Sequence, residues 1–246
     1  MKILVTVKRV IDPFAKVRPL PDGSGIDTSG VKFEINPFDE IALEEAVRIK
    51  EKNPSTEIVA ISIGGPEFED QLRKALAIGA DSAILIVANT EWDSPAIAKE
   101  LESLVLELNP DIVLMGKQGS DDDNGQVGGM LAARLDWPQA SFASKIEISP
   151  TSVTVTRETD TGEETLELPL PCLITADLRL NEPRYVALPG IIKARSKPLE
   201  KRAPSTSSQR KSKTTKYESP PPRAAGRKVA NVDELLTALR DKGVLA

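Results

Sequence analysis

Residues 111–135 read DIVLMGKQGSDDDNGQVGGMLAARL, and this stretch decides the fold. Asp111–Met115 is short and mostly apolar, which is typical of a buried strand. Gly116–Ser120 follows as a glycine-containing loop, and a helix is predicted over about Asn124–Leu135. A buried strand, a loop and a helix in this order predict one unit of an α/β sheet.

The same alternation extends along the first two-thirds of the chain. Buried strands are predicted over Lys2–Val7, Glu57–Ile63, Ser82–Val87 and Leu173–Ala176. Helices are predicted to begin at Asn36-Pro37 and at Ser94-Pro95, because Asn and Ser cap helices and Pro fits the first turn. Gly79 is predicted to end another helix. The alternation predicts a Rossmann-like open parallel sheet with helices on both faces.

An added β-hairpin is predicted after Pro138, where the alternation stops. Short strands are predicted over Lys145–Ile148, Val153–Arg157 and Thr165–Leu168. Asp160-Thr161-Gly162 is predicted to form the turn between the last two strands.

Three regions are predicted along the chain: a nucleotide-binding α/β domain (1–198), a basic linker rich in Ser, Lys and Pro (199–230) and a C-terminal helix (231–246). Residues 193–228 contain twelve Lys or Arg and two acidic residues, so this stretch is strongly basic in a chain of net charge −5. Aromatic residues are almost absent there, which argues against base stacking. An extended C-terminal arm is predicted, and Asn231 with Glu234 can form a capping box for its terminal helix.

Composition excludes several classes of function. The chain has no histidine, which removes His-based acid–base chemistry, Ser–His and Cys–His triads and most zinc sites. Its one cysteine, Cys172, is predicted to be a buried structural thiol. No stretch approaches the roughly 18 apolar residues of a membrane helix. Residues 1–7 predict a strand rather than a signal peptide, and without a visible transit peptide we expect the bacterial cytoplasm rather than the mitochondrial matrix.

A ligand site is predicted at Gly116–Gly129, because open α/β sheets bind ligands beyond the carboxyl ends of their strands. The backbone N–H groups of Asn124–Val127 would point out of a helix start, where phosphate binds well. Gly128 and Gly129 inside the helix predict close approach by a neighbour. The loop matches neither GxxxxGK[ST] nor GxGxxG, so ATP hydrolysis is not predicted.

The acidic run Asp121-Asp122-Asp123 lies within this loop and would repel a phosphate. The three carboxylates are therefore predicted to turn away, toward backbone amides or another chain. Two other interpretations of these residues are possible: a capped helix start without a ligand, and a magnesium site.

The chain resembles the beta subunit of electron transfer flavoproteins in several separated motifs, in the same order. These motifs are Val7-Lys8-Arg9-Val10-Ile11-Asp12, Asn36-Pro37-Phe38, Gly116-Lys117-Gln118 with Asp121–Asp123, Leu135-Asp136-Trp137-Pro138-Gln139, and above all Ala176-Asp177-Leu178-Arg179-Leu180-Asn181-Glu182-Pro183-Arg184-Tyr185 with Leu188-Pro189. The resemblance covers about residues 1–197 and resumes more weakly from Pro220 through the last helix. Departures occur at Pro13, where relatives can carry tyrosine, at Ile63 and at Asn124-Gly125.

The resemblance implies one subunit of a heterodimer, an electron carrier without catalytic side chains of its own. FAD would be held mainly by the alpha subunit at the interface, and a structural AMP by this subunit. Electrons would pass from acyl-CoA-type dehydrogenases of fatty acid β-oxidation to a membrane quinone oxidoreductase. Matched by position, the cofactor contacts would be Thr6, Asn36, Pro37, Phe38, Asp39, Ile63, Gly116, Lys117, Gln118, Gly119, Ser120, Asp121, Asp122, Asp123, Asn124, Gly125, Gln126 and Val127.

A docking segment for partner proteins is predicted over Ala176–Ala194. The segment has many large apolar residues for a loop without strand periodicity, namely Leu180, Tyr185, Leu188, Ile191 and Ile192. The resemblance implies that Leu188 anchors partner dehydrogenases. The predicted docking residues are Tyr185, Leu188, Pro189, Ile191 and Lys193.

Two other functions are compatible with the sequence. One is the electron-bifurcating branch of the same family, where a second FAD replaces AMP. Its members tend to carry a loop like Asp-Gly-Asp-Thr, whereas Asp121-Asp122-Asp123-Asn124 here favours AMP. The other is an adenine-nucleotide-binding module without a redox role, which would not need the docking segment.

Overall fold

A computed structural model describes residues 1–88, 92–206, 211–223 and 225–245. The strands are β1 (Lys2–Thr6), β2 (Arg9–Ile11), β3 (Arg18–Pro19), β4 (Ile26–Asp27), β5 (Phe33–Ile35), β6 (Glu57–Gly64), β7 (Ser82–Val87), β8 (Ile112–Gly116), β9 (Gln139–Ile148), β10 (Ser152–Thr159), β11 (Gly162–Pro169), β12 (Cys172–Ala176) and β13 (Leu199–Arg202). The helices are α1 (Pro37–Lys52), α2 (Glu69–Ile78), α3 (Ser94–Leu108), α4 (Val127–Leu135), α5 (Leu188–Ala194) and α6 (Val232–Asp241). None of these helices is long and apolar enough to cross a membrane.

One nine-stranded sheet has the order β11-β10-β9-β12-β8-β1-β6-β7-β13. From β9 to β13 in this order, all neighbouring strands run parallel. The hairpin β10–β11 adds antiparallel strands at the β9 edge. The predicted Rossmann-like sheet with an added hairpin is therefore confirmed.

The central strand β1 shows how the sheet separates two apolar cores. Ile3 and Val5 belong to the core on one face, together with Leu43 of α1. Leu4 belongs to the core on the other face, together with Leu101 of α3. Successive side chains of a strand point to opposite faces, so a continuous apolar strand can supply both cores. Cys172 is buried as predicted, and burial raises the pKa of its thiol to about 12.

The helix ends agree with the sequence only in part. α1 begins at Pro37, as predicted. Asn109 ends α3 in the left-handed conformation. The prediction that Ser94 caps α3 is wrong, since the Asp93 side chain accepts the Ala96 N–H at the start of this helix. The helix predicted from Asn124 begins three residues later, because the loop before Val127 turns through left-handed residues.

The chain after β12 contains two elements that the sequence analysis did not predict. Leu188–Ala194, expected to be part of a loop, forms α5 with a proline in its first turn. Leu199–Arg202, placed in the predicted linker, forms β13 and pairs in parallel with β7. The sheet therefore continues past residue 198.

The chain divides into two compact units: the main one is Met1–Lys16 with Thr28–Thr214, and the second is Val17–Asp27 with Thr215–Ala246. The second unit contains the β3–β4 pair, and the Tyr217 N–H donates to the Gly23 carbonyl. Asn231 caps α6 by accepting the Glu234 N–H at 2.9 Å. The Glu234 carboxylate accepts from the Ala230 N–H rather than from that of Asn231, so the predicted capping box is shifted by one residue.

Candidate functional site

The predicted ligand loop follows β8 at the switch point of the sheet. From β1 the chain moves to β6 and β7 on one side, and β8 then returns to the other side of β1. Thr6 and Gly116 end the two strands that flank this point, and Ile63 lies near the end of β6. Ligands of open α/β sheets bind in the crevice at such a point. The topology therefore places these predicted site residues at one edge of the sheet.

The start of α1 holds the loop through two buried side chains. The Asn36 side chain donates to the Gln118 carbonyl at 2.8 Å and accepts the Ser120 N–H at 3.1 Å. Asn36 therefore makes no side-chain cap to α1, contrary to the simple capping prediction. Asp39 accepts N–H groups from Lys8 at 2.7 Å and from Gly116 at 3.0 Å.

The Asp39 carboxyl group is buried at the centre of these contacts. Burial raises its pKa to about 7, although the hydrogen bonds from the Lys8 and Gly116 amides act in the opposite direction. Both carboxyl oxygens are used by backbone donors. Asp39 therefore joins Lys8, two residues past the end of β1, and Gly116, the last residue of β8, to the start of α1.

The three acidic residues of the loop engage neighbours within the chain. Asp121 and Asp122 contact the Lys8 ammonium at 2.7 and 3.0 Å. Asp122 also accepts the Asn124 N–H, and Asp123 accepts from the Gln118 side chain at 2.7 Å. Lys8 thus neutralises part of the acidic run.

The start of α4 has the features of an anion-binding position. Its first intrahelical bond is donated by Met130 to the Gln126 carbonyl, and the Gln126 side chain makes no cap. The N–H groups of Val127–Gly129 lie before that bond, where helices leave donors for a ligand. In the same loop, the Ser120 hydroxyl oxygen is buried and has no hydrogen-bond partner among the described residues. Buried polar groups of this kind usually have a partner, so the Ser120 hydroxyl can hydrogen-bond to a ligand at this position.

The two helix glycines differ in their surroundings. A Cβ on Gly128 would lie 2.7 Å from Thr175 Cγ2, so the predicted close approach is confirmed there. A Cβ on Gly129 would lie 3.8 Å from Gln139 Oε1, which is ordinary contact. The prediction was therefore wrong for Gly129.

Lys117 links this loop to the docking segment. Its ammonium lies 2.7 Å from the Asp177 carboxylate. Burial alone would raise the pKa of Asp177, but the hydrogen bonds from Lys117 and the Arg179 N–H, together with the positive charges of these two residues, lower it. The same ammonium lies 5.2 Å from the ring centre of Phe38 and 5.4 Å from that of Phe142. Contacts of Phe142 and Asp177 with Lys117 were not predicted from the sequence.

Phe142 adopts a positive φ of 62°, which is unusual for a bulky residue. The pairing of β12 with β9 shifts register nearby, and Phe142 donates its N–H to the Thr175 hydroxyl. Such irregularities leave no signal in a single sequence, so Phe142 could not be found from the strand pattern.

The docking segment presents apolar side chains from an ordered backbone. Tyr185 is fully exposed, and Leu188 on α5 is 69% exposed. Ile191 and Ile192 are also exposed, Pro189 lies in the first turn and Lys193 in the last turn of the same helix. The structure therefore places four of the five predicted docking residues on one short helix, and Tyr185 just before it.

Metal binding was one open interpretation of the acidic loop. Across the described residues, no group of three or more Cys, Asp or Glu side chains is arranged to hold a metal ion. The contacts of Asp121–Asp123 are with Lys8, Asn124 and Gln118 instead.

An open parallel sheet with a glycine-containing loop at its switch point defines the Rossmann-like class of α/β proteins. Residues 24–207 match the family described as Electron transfer flavoprotein domain. The chain is 46% identical to "Electron transfer flavoprotein subunit beta" of Bradyrhizobium diazoefficiens over 252 residues, covering all of both chains. The human protein of the same name is 45% identical over 250 residues (99% of this chain, 98% of the relative), and the rice protein "Electron transfer flavoprotein subunit beta, mitochondrial" is 46% identical over 249 residues (98% of each). The chain therefore belongs to the electron transfer flavoprotein family, among its beta subunits.

Proposed function

We propose that this chain pairs with an alpha subunit and carries electrons from acyl-CoA-type dehydrogenases to a membrane quinone oxidoreductase. The observation that carries the proposal is the exposed apolar surface of the docking segment. Tyr185, Leu188 and Ile192 are exposed apolar residues, and hydrogen bonds to α1 and α2 fix the chain on both sides of them. Such a surface is typical of a protein-binding site. A nucleotide-binding module without redox partners would have no use for it.

In this proposal the chain also binds AMP at the switch point. The uncapped start of α4 and the unpartnered Ser120 hydroxyl suit a phosphate group, and the missing side chain of Gly116 lets the start of α1 pack closely against the loop. Lys8 neutralises part of the acidic run and Gln118 holds the Asp123 carboxylate, which lowers the repulsion between these residues and the phosphate. AMP would then act as a structural ligand that completes the hydrogen bonding of the loop.

FAD, held mainly by the alpha subunit at the interface, would supply the electron-carrying chemistry. The residues of this chain would place and shield the cofactor rather than react. Lys117, paired with Asp177 and close to the rings of Phe38 and Phe142, is held in place at that edge of the sheet.

Replacing Leu188 with alanine should slow electron transfer from a dehydrogenase by about 30-fold, as expected when a central apolar anchor worth about 2 kcal/mol is lost. Flavin content should stay normal, because Leu188 lies on α5 and not in the loop after β8. Stopped-flow reduction of the heterodimer by an acyl-CoA dehydrogenase and its substrate measures this rate.

Leu106 provides a matched control, because this leucine of α3 is also 69% exposed but lies outside the docking segment. Leu106→Ala should leave the rate within about twofold, as expected for a surface change outside an interface. Equal rates for Leu188→Ala and the unchanged protein would contradict docking through α5.

A further inference from the structure

Glu44 is a buried carboxylate on α1 that belongs to no part of the nucleotide loop. Its side chain is only 3% exposed. It accepts hydrogen bonds from the Arg184 guanidinium at 2.8 and 2.9 Å, from the Arg184 N–H at 3.2 Å and from Arg48 at 3.0 Å. Burial alone would raise the pKa of Glu44, but these donors outweigh it and hold that pKa below its ordinary value.

Arg184 bridges two carboxylates on the same helix. Its guanidinium also donates to Glu51 at 2.6 and 3.1 Å. Glu44 and Glu51 are two helical turns apart and therefore lie on one face of α1. A planar guanidinium can satisfy both, which a lysine ammonium cannot do with the same geometry.

Two further contacts fix the chain next to Arg184. The Asn181 side chain donates to the Ile41 carbonyl and to Glu45, both at 3.0 Å. Arg48 donates to the Glu182 carbonyl at 3.2 Å. Residues 181–184 are therefore tied to three successive turns of α1.

The other end of the docking segment is tied to α2. Arg73 donates to the Ala194 and Lys197 carbonyls at 3.0 and 3.1 Å. Lys197 donates to the Leu76 and Ala80 carbonyls at the end of α2. The exposed residues Tyr185 and Leu188 thus lie between two fixed points.

We propose that Arg184, held by Glu44 and Glu51, is a positioning residue that sets the conformation of the docking segment before a partner arrives. The inference rests on the proposed function of that segment. Immobilising a flexible segment during association weakens binding, so a segment that is already ordered binds more tightly. The contacts also account for the burial of Glu44, because a buried carboxylate requires paired donors.

The test is Arg184→Gln in the purified heterodimer. We expect the apparent KM for the dehydrogenase to rise about tenfold while the limiting rate at saturating dehydrogenase stays unchanged, because the variant loses order and not contacts. Amide hydrogen exchange of residues 181–188 should accelerate by at least a similar factor. Arg184→Lys should restore only part of the affinity, since it keeps the charge and loses the bridge.

Arg134 supplies a matched control, because its guanidinium pairs with Glu102 between α4 and α3, outside the docking segment. Arg134→Gln should change neither KM nor hydrogen exchange at residues 181–188. Because Arg184→Gln leaves the Glu44 charge buried, the double variant Glu44→Gln with Arg184→Gln is measured too. This double variant should show the same rise in KM, although it has no unpaired buried carboxylate at residue 44.

Unchanged KM and exchange in both the single and the double variant would overturn the positioning role. Leu188→Ala, measured in the same series, separates this outcome from failure of the proposed function. If Leu188→Ala slows electron transfer and the Arg184 variants do not, only the positioning role fails. If none of these variants affects transfer, docking through this segment fails as well.

Discussion

Replacing Gly116 with alanine should destabilise the protein by about 3 kcal/mol, near the upper end for an added methyl group in a packed site. Its Cβ would lie 2.5 Å from Asp39 Oδ1, 2.7 Å from Phe38 Cβ and 2.9 Å from the Phe38 carbonyl carbon. Backbone atoms cannot move aside as a flexible side chain can. The start of α1 would have to shift, and with it the bonds from Asn36 to the loop.

Thermal unfolding measures the effect, and a domain of this size should lose roughly 6–12 °C in Tm. Nucleotide content of the purified heterodimer should fall at the same time. Gly129→Ala is the control, because its Cβ meets only Gln139 Oε1 at 3.8 Å and alanine favours a helix. An equal Tm for both variants would show that Gly116 does not hold the loop against α1.

Deleting residues 231–246 should weaken binding to the alpha subunit by roughly a hundredfold, the loss expected for a small cluster of apolar interface residues. α6 has ten residues, too few to be a stable helix alone in water. Val232 and Leu235 on the helix, and Val244 after it, are exposed in the single chain. Burial in the alpha subunit would remove this apolar surface from water.

Titration of the separated subunits, followed by calorimetry or by flavin fluorescence, gives the dissociation constant. The point variant Leu235→Asp should reproduce most of the loss, whereas Thr237→Ala, on an exposed polar residue of the same helix, should not. The same dissociation constant with and without residues 231–246 would exclude a role of this helix in assembly.

The main strands could be predicted because both of their faces are apolar, a pattern that is typical of parallel strands buried between two layers of helices. β13 could not be predicted in the same way, since Leu199–Arg202 contains three charged residues and pairs only at a sheet edge. α5 is seven residues long and follows no clear amphipathic period, so its sequence predicts a loop rather than a helix. Both elements depend on tertiary contacts rather than on local propensity.

In the candidate site too, features with a local sequence pattern could be predicted and tertiary contacts could not. The glycines and the position after β8 predicted the loop, because strand ends and close backbone approach are visible in sequence. Asn36 and Asp39 bind Gln118 and Gly116, which lie about 80 residues away, and no local pattern connects them. The same is true of Arg184 and Glu44, which are 140 residues apart.

The measurement that tests the central claim most directly is the identity of the nucleotides in the purified heterodimer. Heating the complex and separating the released compounds by chromatography identifies them by absorbance and mass. AMP together with a single FAD is the result expected if the loop after β8 holds a structural AMP. Two FAD molecules without AMP would instead place this chain in the electron-bifurcating branch, and a complex without flavin would contradict the electron-carrier function itself.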